Sequence, residues 1–178
     1  MRIKDTFIEG VYIIENFKSN DNRGSFKKIF NNEAFKENNL DTQIKEVYYS
    51  VSQKNVIRGM HFQNPPYDHA KIINVIKGNV IDVVLDLRKT SATYGKFIEY
   101  NLNEKNNEAI YIPSGCAHGF KSVENETIML YLVTTEYNKE HDNGIRWDSI
   151  GYDWKIENPI ISDRDNKFIE FKDFVSPF

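Results

Sequence analysis

Short segments rich in Val, Ile, Phe and Tyr recur along this chain, and clusters of Asn, Gly and Pro separate them. β-branched and aromatic residues favour strands, whereas Asn, Gly and Pro favour turns. The clearest case is the segment 72–87, in which Lys77-Gly78-Asn79 divides two apolar runs and predicts a hairpin. Strands at such short, regular spacing predict an all-β jelly roll, a sandwich or barrel, as one domain spanning residues 1–178.

Most of the other elements are predicted as strands, with only a few short helices. Residues 46–52 and 56–62 are predicted to pair with each other around the turn at 53–55. A short helix over 33–38 follows a cap at Asn31 or Asn32, and Ser162 with Asp165 matches a second capping pattern. The remaining predicted strands are 11–17, 97–102, 108–112 and 127–135.

Composition excludes several classes of protein. The 23 basic and 26 acidic residues give a net charge of -3, which argues against a general nucleic-acid binder. The single Cys116 excludes an internal disulfide, and no apolar run is long enough for a membrane span. We therefore expect a cytoplasmic protein with neither a nucleic-acid nor a membrane partner.

Polar residues alternate with apolar ones between Asn55 and Lys71. A strand there would direct Arg58, His61 and Gln63 toward one face, with Lys71 nearby. An imidazole base and a cation facing a carbonyl oxygen could together remove an α-proton and stabilise the enolate. The alternative is a half-buried strand with ordinary polar side chains. Asp82, on a predicted inner face, is a candidate to orient a His or a Lys.

Five further motifs occur in order along nearly the whole chain. They are Asp21-x-Arg23-Gly24-x-Phe26, the segment 55–63 with Lys71, the segment 86–95, the segment 112–120, and Gly144-Ile-x-Trp-Asp148 with a terminal Asp165. Together they resemble the dTDP-4-dehydrorhamnose 3,5-epimerase family. The resemblance implies a cupin-type jelly roll, a homodimer, and a reaction without metal or cofactor on a nucleotide-diphosphate-linked 4-keto-6-deoxy sugar.

The resemblance also implies a role for each matching residue. His61 would take the proton beside the ketone, Asp165 would hold the imidazole, and Lys71 would face the 4-keto oxygen. Tyr131 would return a proton from the opposite face, because a single base that returns its own proton restores the starting centre. The positions that match substrate contacts are Arg23, Phe26, Lys28, Glu46, Ser52, Arg58, Gln63, His118 and Tyr137.

Two of these positions depart from the family pattern. Lys28 stands where Glu is common, and Glu46 stands where Gln is common. Thymine presents a ring N–H donor, which Glu accepts and Lys cannot accept. Lys28 and Glu46 could instead read cytosine with their roles exchanged, or they could form an ion pair while the base is read elsewhere. We keep dTDP as the expected nucleotide and CDP as a hypothesis.

Other functions stay open at this point. The spacing Pro113-x-Gly115-x-x-His118 resembles the second motif of metal-dependent cupins, but Gln63 stands where their first motif has a second His, and the chain has only four His. A non-catalytic sugar-nucleotide binding module would lack a base or an acid. Cys116 could be a nucleophile, although an apolar packing role is expected. The sequence leaves open whether C-3, C-5 or both are inverted.

Overall fold

Thirteen strands and two short helices make up the computed structural model, which describes residues 1–178. The helices are α1 (Asn32–Glu37) and α2 (Asp163–Asn166), and a 3-10 turn covers Phe171–Asp173. The strands are β1 (Arg2–Asp5), β2 (Tyr12–Glu15), β3 (Phe17–Asp21), β4 (Gly24–Lys28), β5 (Glu46–Ser52), β6 (Ile57–Gln63), β7 (Lys71–Lys77), β8 (Asn79–Asp86), β9 (Phe97–Asn103), β10 (Glu108–Ile112), β11 (Cys116–Ser122), β12 (Thr127–Val133) and β13 (Asp142–Gly144).

Two antiparallel sheets pack their apolar faces together. One has six strands in the order β1-β2-β10-β7-β12-β5, and the other has five in the order β13-β6-β11-β8-β9. Ile73 and Ile110 from the first sheet and Val84 and Phe120 from the second belong to one buried cluster. Burying each such side chain contributes about 1.5–3 kcal/mol. The predicted all-β jelly roll is confirmed, and β3 with β4 forms a separate two-stranded hairpin.

The hairpin predicted over 72–87 is wrong. The chain does reverse at Gly78, but β7 pairs with β10 and β12, whereas β8 pairs with β9 and β11 in the other sheet. Gly78 has φ +85°, and a Cβ there would lie 2.5 Å from Thr127 Oγ1. Turn residues therefore identified the reversal, but the strands available in each sheet decided the pairing.

The predicted pairing of 46–52 with 56–62 is also wrong. β5 pairs along its length with β12, and β6 pairs with β11 and β13 in the opposite sheet. The segment 112–120 turns before Cys116 and then forms β11. Gly119 permits β11 to approach β6, because a Cβ there would lie 2.6 Å from Met60 Sδ. The pairing error arises from long-range contacts that local patterns do not encode.

The local predictions at the helices hold. Asn31 is the N-cap of α1, and its side chain accepts a hydrogen bond from Ala34 N at 2.9 Å. Ser162 caps α2 by accepting from Asp165 N at 3.1 Å. The predicted strand 11–17 is interrupted at Asn16, where β2 has ended and β3 has not begun. None of the helices is long and apolar enough to cross a membrane.

Candidate active site

A cavity of about 500 Å³ opens between the two sheets. β6 and β11 supply one wall from the five-stranded sheet, and β5, β7 and β12 supply the other from the six-stranded sheet. His61 therefore faces a wall that carries Lys71 and Tyr131. The residues of the sequence prediction that line this cavity are Glu46, Arg58, His61, Gln63, Lys71, His118, Tyr131 and Tyr137.

His61 is held by Asp165. Its Nε2 lies 2.9 Å from Asp165 Oδ1, and Asp165 Oδ2 accepts a hydrogen bond from Gly59 N at 3.1 Å. The Phe168 ring packs edge-on against the imidazole, with centroids 5.7 Å apart. A carboxylate at Nε2 favours the tautomer with its proton there, which leaves the Nδ1 lone pair free. Ser162 caps the helix by accepting from the backbone N–H of Asp165, and the buried carboxylate contacts His61 and Gly59 N.

The environment of His61 favours its neutral form. Burial lowers the pKa of His61 most strongly, Asp165 opposes that shift, and the charges of Lys71 and Arg164 add to the lowering. Asp165 thus raises the pKa of His61, but burial outweighs that effect. For Asp165, burial would raise the pKa, but the hydrogen bonds from His61 and Gly59 outweigh it and the net pKa is lowered. The site thus pairs a neutral imidazole with an ionised carboxylate.

Lys71 begins β7 and its side chain is buried at the cavity wall. Its Nζ donates to the backbone oxygen of His61 at 3.3 Å. Burial lowers the pKa of Lys71 to about 8, while Asp142 and Asp82 oppose that shift. At neutral pH the group is still an ammonium, so it offers positive charge at a buried position in the cavity wall.

Tyr131 lies on β12, and its ring stacks on Tyr48 with centroids 4.9 Å apart. The phenol oxygen lies 3.3 Å from Ser50 Oγ. Burial raises the pKa of Tyr131 above its ordinary value of 10, so the phenol keeps its proton. Tyr131 therefore presents a protonated phenol with a hydroxyl neighbour at the cavity wall.

A second imidazole–carboxylate pair lies next to the first. His118 stands opposite His61 in the register of β11 with β6, and its Nε2 lies 2.7 Å from Asp82 Oδ2. Both members of this pair are buried, and Asp82 Oδ1 has no hydrogen-bond partner. The contact matches the expectation that Asp82 orients a His.

Two residues expected to touch substrate have other partners. Ser52 is buried outside the cavity lining, and its Oγ accepts from Arg58 Nε at 3.1 Å, so it holds Arg58 in place. Gln63 is buried; its Nε2 donates to Tyr67 O at 2.8 Å, and its Oε1 accepts from Asn138 N at 2.7 Å. Gln63 thus ties two loops at the cavity mouth.

The residues Arg23, Phe26 and Lys28 lie on the β3–β4 hairpin and line no part of this cavity. Arg23 pairs with Asp21 at 2.5 Å. Lys28 and Glu46 do not form an ion pair with each other within the chain, so that alternative is wrong. Lys28 Nζ lies 6.0 Å from the centroid of the Phe17 ring, and Glu46 Oε1 accepts from Tyr137 N at 3.0 Å.

Several lining residues were missed from the sequence. Tyr48 and Ser50 alternate with Glu46 along β5, so the period of a strand would have identified them. Asp142 and Arg164 form an ion pair at 2.7 Å, and no local pattern brings β13 to α2. The other missed residues are Phe62, His69, Phe120, Val133 and Thr135.

The alternative chemistries receive little support from the geometry. Burial raises the pKa of Cys116 to about 12, so its thiol stays protonated, and the side chain packs in the core as expected. No group of three or more His, Cys, Asp or Glu side chains is placed to hold a metal ion. His61 and His118 instead have separate carboxylate partners, Asp165 and Asp82.

Comparison with known proteins shows the family of the chain. The family model described as dTDP-4-dehydrorhamnose 3,5-epimerase matches residues 5–173. The enzyme of that name from Methanothermobacter thermautotrophicus is 39% identical over 172 residues, which cover 94% of this chain and 92% of that protein. The crystal structure of the enzyme of that name from Sulfolobus tokodaii is 35% identical, with a TM-score of 0.92 and 99% of both chains covered.

A third relative was solved with a sugar nucleotide. It is the dTDP-6-deoxy-D-glucose-3,5-epimerase of Legionella pneumophila in complex with dTDP-4-keto-L-rhamnose, 28% identical, with a TM-score of 0.92 and with 98% of this chain and 94% of that chain covered. The family match thus spans the catalytic cavity and both sheets. The chain belongs to the dTDP-4-dehydrorhamnose 3,5-epimerase family.

Proposed function

We propose that this protein is an isomerase that epimerises a nucleotide-linked 4-keto-6-deoxyhexose through an enolate. One observation carries the proposal: a carboxylate-held imidazole and a phenol come from opposite sheets to one cavity, and an ammonium lines the same cavity. An α-proton is too weak an acid for unaided removal. Its removal needs a base on one face and positive charge at the carbonyl oxygen.

In the first step His61 Nδ1 takes the proton from the carbon beside the ketone. The electron pair of the broken C–H bond moves into the enolate, and its negative charge develops on the 4-keto oxygen. Lys71 stabilises this oxyanion, while Asp165 stabilises the imidazolium that forms. The lowered pKa of His61 keeps the base unprotonated before the step.

In the second step Tyr131 protonates the same carbon from the other face. The O–H bond of the phenol breaks, a new C–H bond forms with inverted configuration, and the enolate returns to the ketone. Ser50 Oγ, 3.3 Å from the phenol oxygen, is placed to relay a proton back to Tyr131. The imidazolium of His61 then releases its proton to solvent through the open side of the cavity.

We infer that the substrate is dTDP-4-dehydro-6-deoxyglucose and the product dTDP-4-dehydrorhamnose. The Legionella relative binds dTDP-4-keto-L-rhamnose, which supports thymidine as the base. Arg58 lines the cavity with its Nε and one Nη directed by Ser52 and by Val51 O, so the rest of its planar fork suits a diphosphate. His118 and Tyr137 lie where they could contact the sugar or the base.

A second copy of the chain accounts for the residues that lie outside the cavity. The β3–β4 hairpin is exposed along its length, and β5 forms the open edge of the six-stranded sheet with Val47, Tyr49 and Val51 exposed. Exposed apolar residues at a sheet edge favour association. In the expected homodimer, Arg23, Phe26 and Lys28 would reach the partner's cavity.

Mixing two inactive variants tests the shared site. If Arg23 of one subunit reaches the cavity of the other, a heterodimer of an Arg23→Ala subunit and a His61→Asn subunit contains one complete site. Random reassortment of a twofold dimer should restore about a quarter of wild-type activity. If each chain supplied its own Arg23, the mixture would restore nothing. Light scattering of the wild type gives the oligomeric state independently.

The reaction is tested by deuterium uptake. The purified protein is incubated in heavy water with the dTDP-linked 4-keto-6-deoxy sugar, and NMR counts the deuterium atoms incorporated at C-3 and C-5. One deuterium identifies a mono-epimerase, and two identify a 3,5-epimerase. Absence of exchange, together with tight binding of the sugar nucleotide, would instead show a non-catalytic binding module.

The nucleotide base is tested separately. Titration with dTDP and with CDP compares the two bases without turnover. We expect tighter binding of dTDP. Tighter binding of CDP, reversed by Lys28→Glu with Glu46→Gln, would show that these two departures from the family pattern change the base that is read.

A further inference from the structure

A second cavity of about 600 Å³ shares no lining residue with the catalytic cavity. It lies between the β3–β4 hairpin, the middle of β7 and the turn that joins β9 to β10. The proposed epimerisation assigns it no role. Its walls combine buried amides with lysines of the hairpin.

Buried amide groups at this cavity lack hydrogen-bond partners. Asn16 and Asn74 are 7% and 2% exposed, and Asn16 Nδ2 donates to Asn74 Oδ1 at 2.9 Å. This contact leaves Asn16 Oδ1 and Asn74 Nδ2 unpaired, and Asn107 Oδ1 is unpaired as well. Leaving a buried polar group without a partner is unfavourable. Two acceptors beside one donor match hydroxyl groups, since each hydroxyl both donates and accepts.

Uncompensated positive charge lies at the same cavity. Neither Lys18 nor Lys27 belongs to any ion pair of the chain, and Lys27 Nζ donates only to the backbone oxygen of Glu104. Burial lowers the pKa of Lys27, the charge of Lys18 lowers it further, and the charge of Glu104 opposes that shift without cancelling it. Two ammonium groups that repel each other in this way favour an anion between them.

The carboxylates in the lining already have partners. Glu104 Oε2 accepts from Gly78 N at 2.9 Å. Glu108 accepts from Lys4 Nζ at 3.0 Å and from the Tyr100 hydroxyl at 2.8 Å. Neither carboxylate forms an ion pair with Lys18 or Lys27, so an anion can approach those two lysines.

We propose that this second cavity binds a phosphorylated sugar. The phosphate lies against Lys18 and Lys27, and the sugar hydroxyls occupy the free positions of Asn16, Asn74 and Asn107. Hydroxyls match the unpaired amide positions and an anion matches the two lysines, so a ligand that carries both fits this cavity. The site is separate from the catalytic cavity and extends the proposed function to a second ligand.

Calorimetric titration with D-glucose 6-phosphate tests the site. The Arg58→Ala variant is used beside the wild type, because loss of Arg58 weakens phosphate binding in the catalytic cavity. We expect both proteins to bind one equivalent, and Lys18→Ala with Lys27→Ala to weaken that binding at least about tenfold, as loss of two charge-assisted contacts should. Lys36→Ala with Lys89→Ala, two exposed lysines elsewhere, is the matched control and should bind as the wild type does.

Asn74→Asp probes the amides. It keeps the acceptor for Asn16 Nδ2, removes the free donor and adds negative charge, so binding of D-glucose 6-phosphate should fall. Glucose alone and inorganic phosphate are the ligand controls, and each should bind weakly to every protein. Absence of heat with the wild type would overturn the proposal. So would binding that Arg58→Ala abolishes, or inorganic phosphate binding as tightly as the sugar phosphate. These titrations do not require catalytic turnover, so the proposal for this second cavity and the proposed epimerase activity can be refuted independently.

Discussion

Replacing Asp165 with Asn is the sharpest test of the proposed base. The amide has the same shape, and its oxygen can still accept from Gly59 N. Its NH₂ group, however, would donate to His61 Nε2 and drive the imidazole proton to Nδ1. The free lone pair on His61 Nε2 would then face the new amide at position 165 instead of the sugar.

The size of the effect follows from the pair itself. The imidazole and carboxylate are in contact, with 28% and 6% of their side chains exposed. Opposite charges with centres about 4 Å apart contribute about 4 kcal/mol at an effective dielectric constant of about 20. Because the imidazolium forms only as the proton is removed, this interaction lowers the barrier. Its loss corresponds to about a 10³-fold fall in rate.

The assay is the rate of deuterium exchange into the keto sugar, measured by NMR beside product formation. Asp163→Asn is the matched control, since Asp163 is exposed in the same helix and contacts neither His61 nor Gly59. The control should retain the wild-type rate. Exchange by Asp165→Asn within about threefold of the wild type, in a variant that unfolds at the wild-type temperature, would refute the role of Asp165 and the tautomer argument.

Three further predictions follow from the site. The pH profile of kcat/KM should fall on the acid side below 6.5, where His61 gains a proton, and on the basic side near 8, where Lys71 loses one. The unfolded chain keeps the lysine proton up to about 10.5, so the free energy of unfolding should also increase as pH rises from about 8 to 10.5. Tyr131→Phe keeps the stacking on Tyr48, so deuterium exchange by His61 should continue while the inverted product falls by about 10² or more. Arg164→Ala should move the acid limb to higher pH, because Arg164 lowers the pKa of His61, and Arg164→Lys should leave it in place.

The period of the strands and the turn residues predicted much of the architecture. Residues 46–52 and 108–112 form strands with the predicted bounds, and the caps at Asn31 and Ser162 are present. These features depend on interactions within a few residues. Pairing does not: β7 and β8 meet at Gly78 but enter different sheets, because each strand's neighbours come from distant parts of the chain.

The reactive groups of the site are identifiable from the amino-acid sequence. An imidazole, an ammonium, a phenol and a carboxylate occur at the spacing of a known family, and that spacing identified His61, Lys71, Tyr131 and Asp165. Their pKa values do not follow from the sequence, because burial and tertiary hydrogen bonds decide them. At His61, burial outweighs the increase in pKa that Asp165 supplies.

Local sequence thus determined where the chain runs straight, where it turns and which reactive groups it carries, since dihedral preferences and side-chain chemistry act over short distances. Only the tertiary structure decided which strands meet, which groups share a cavity and how far each is removed from water. Asp142 with Arg164, and Asn16 with Asn74, became neighbours only through contacts between segments distant in the chain. Packing of the two sheets brings separate polar residues into shared cavities and shifts the pKa values of their side chains.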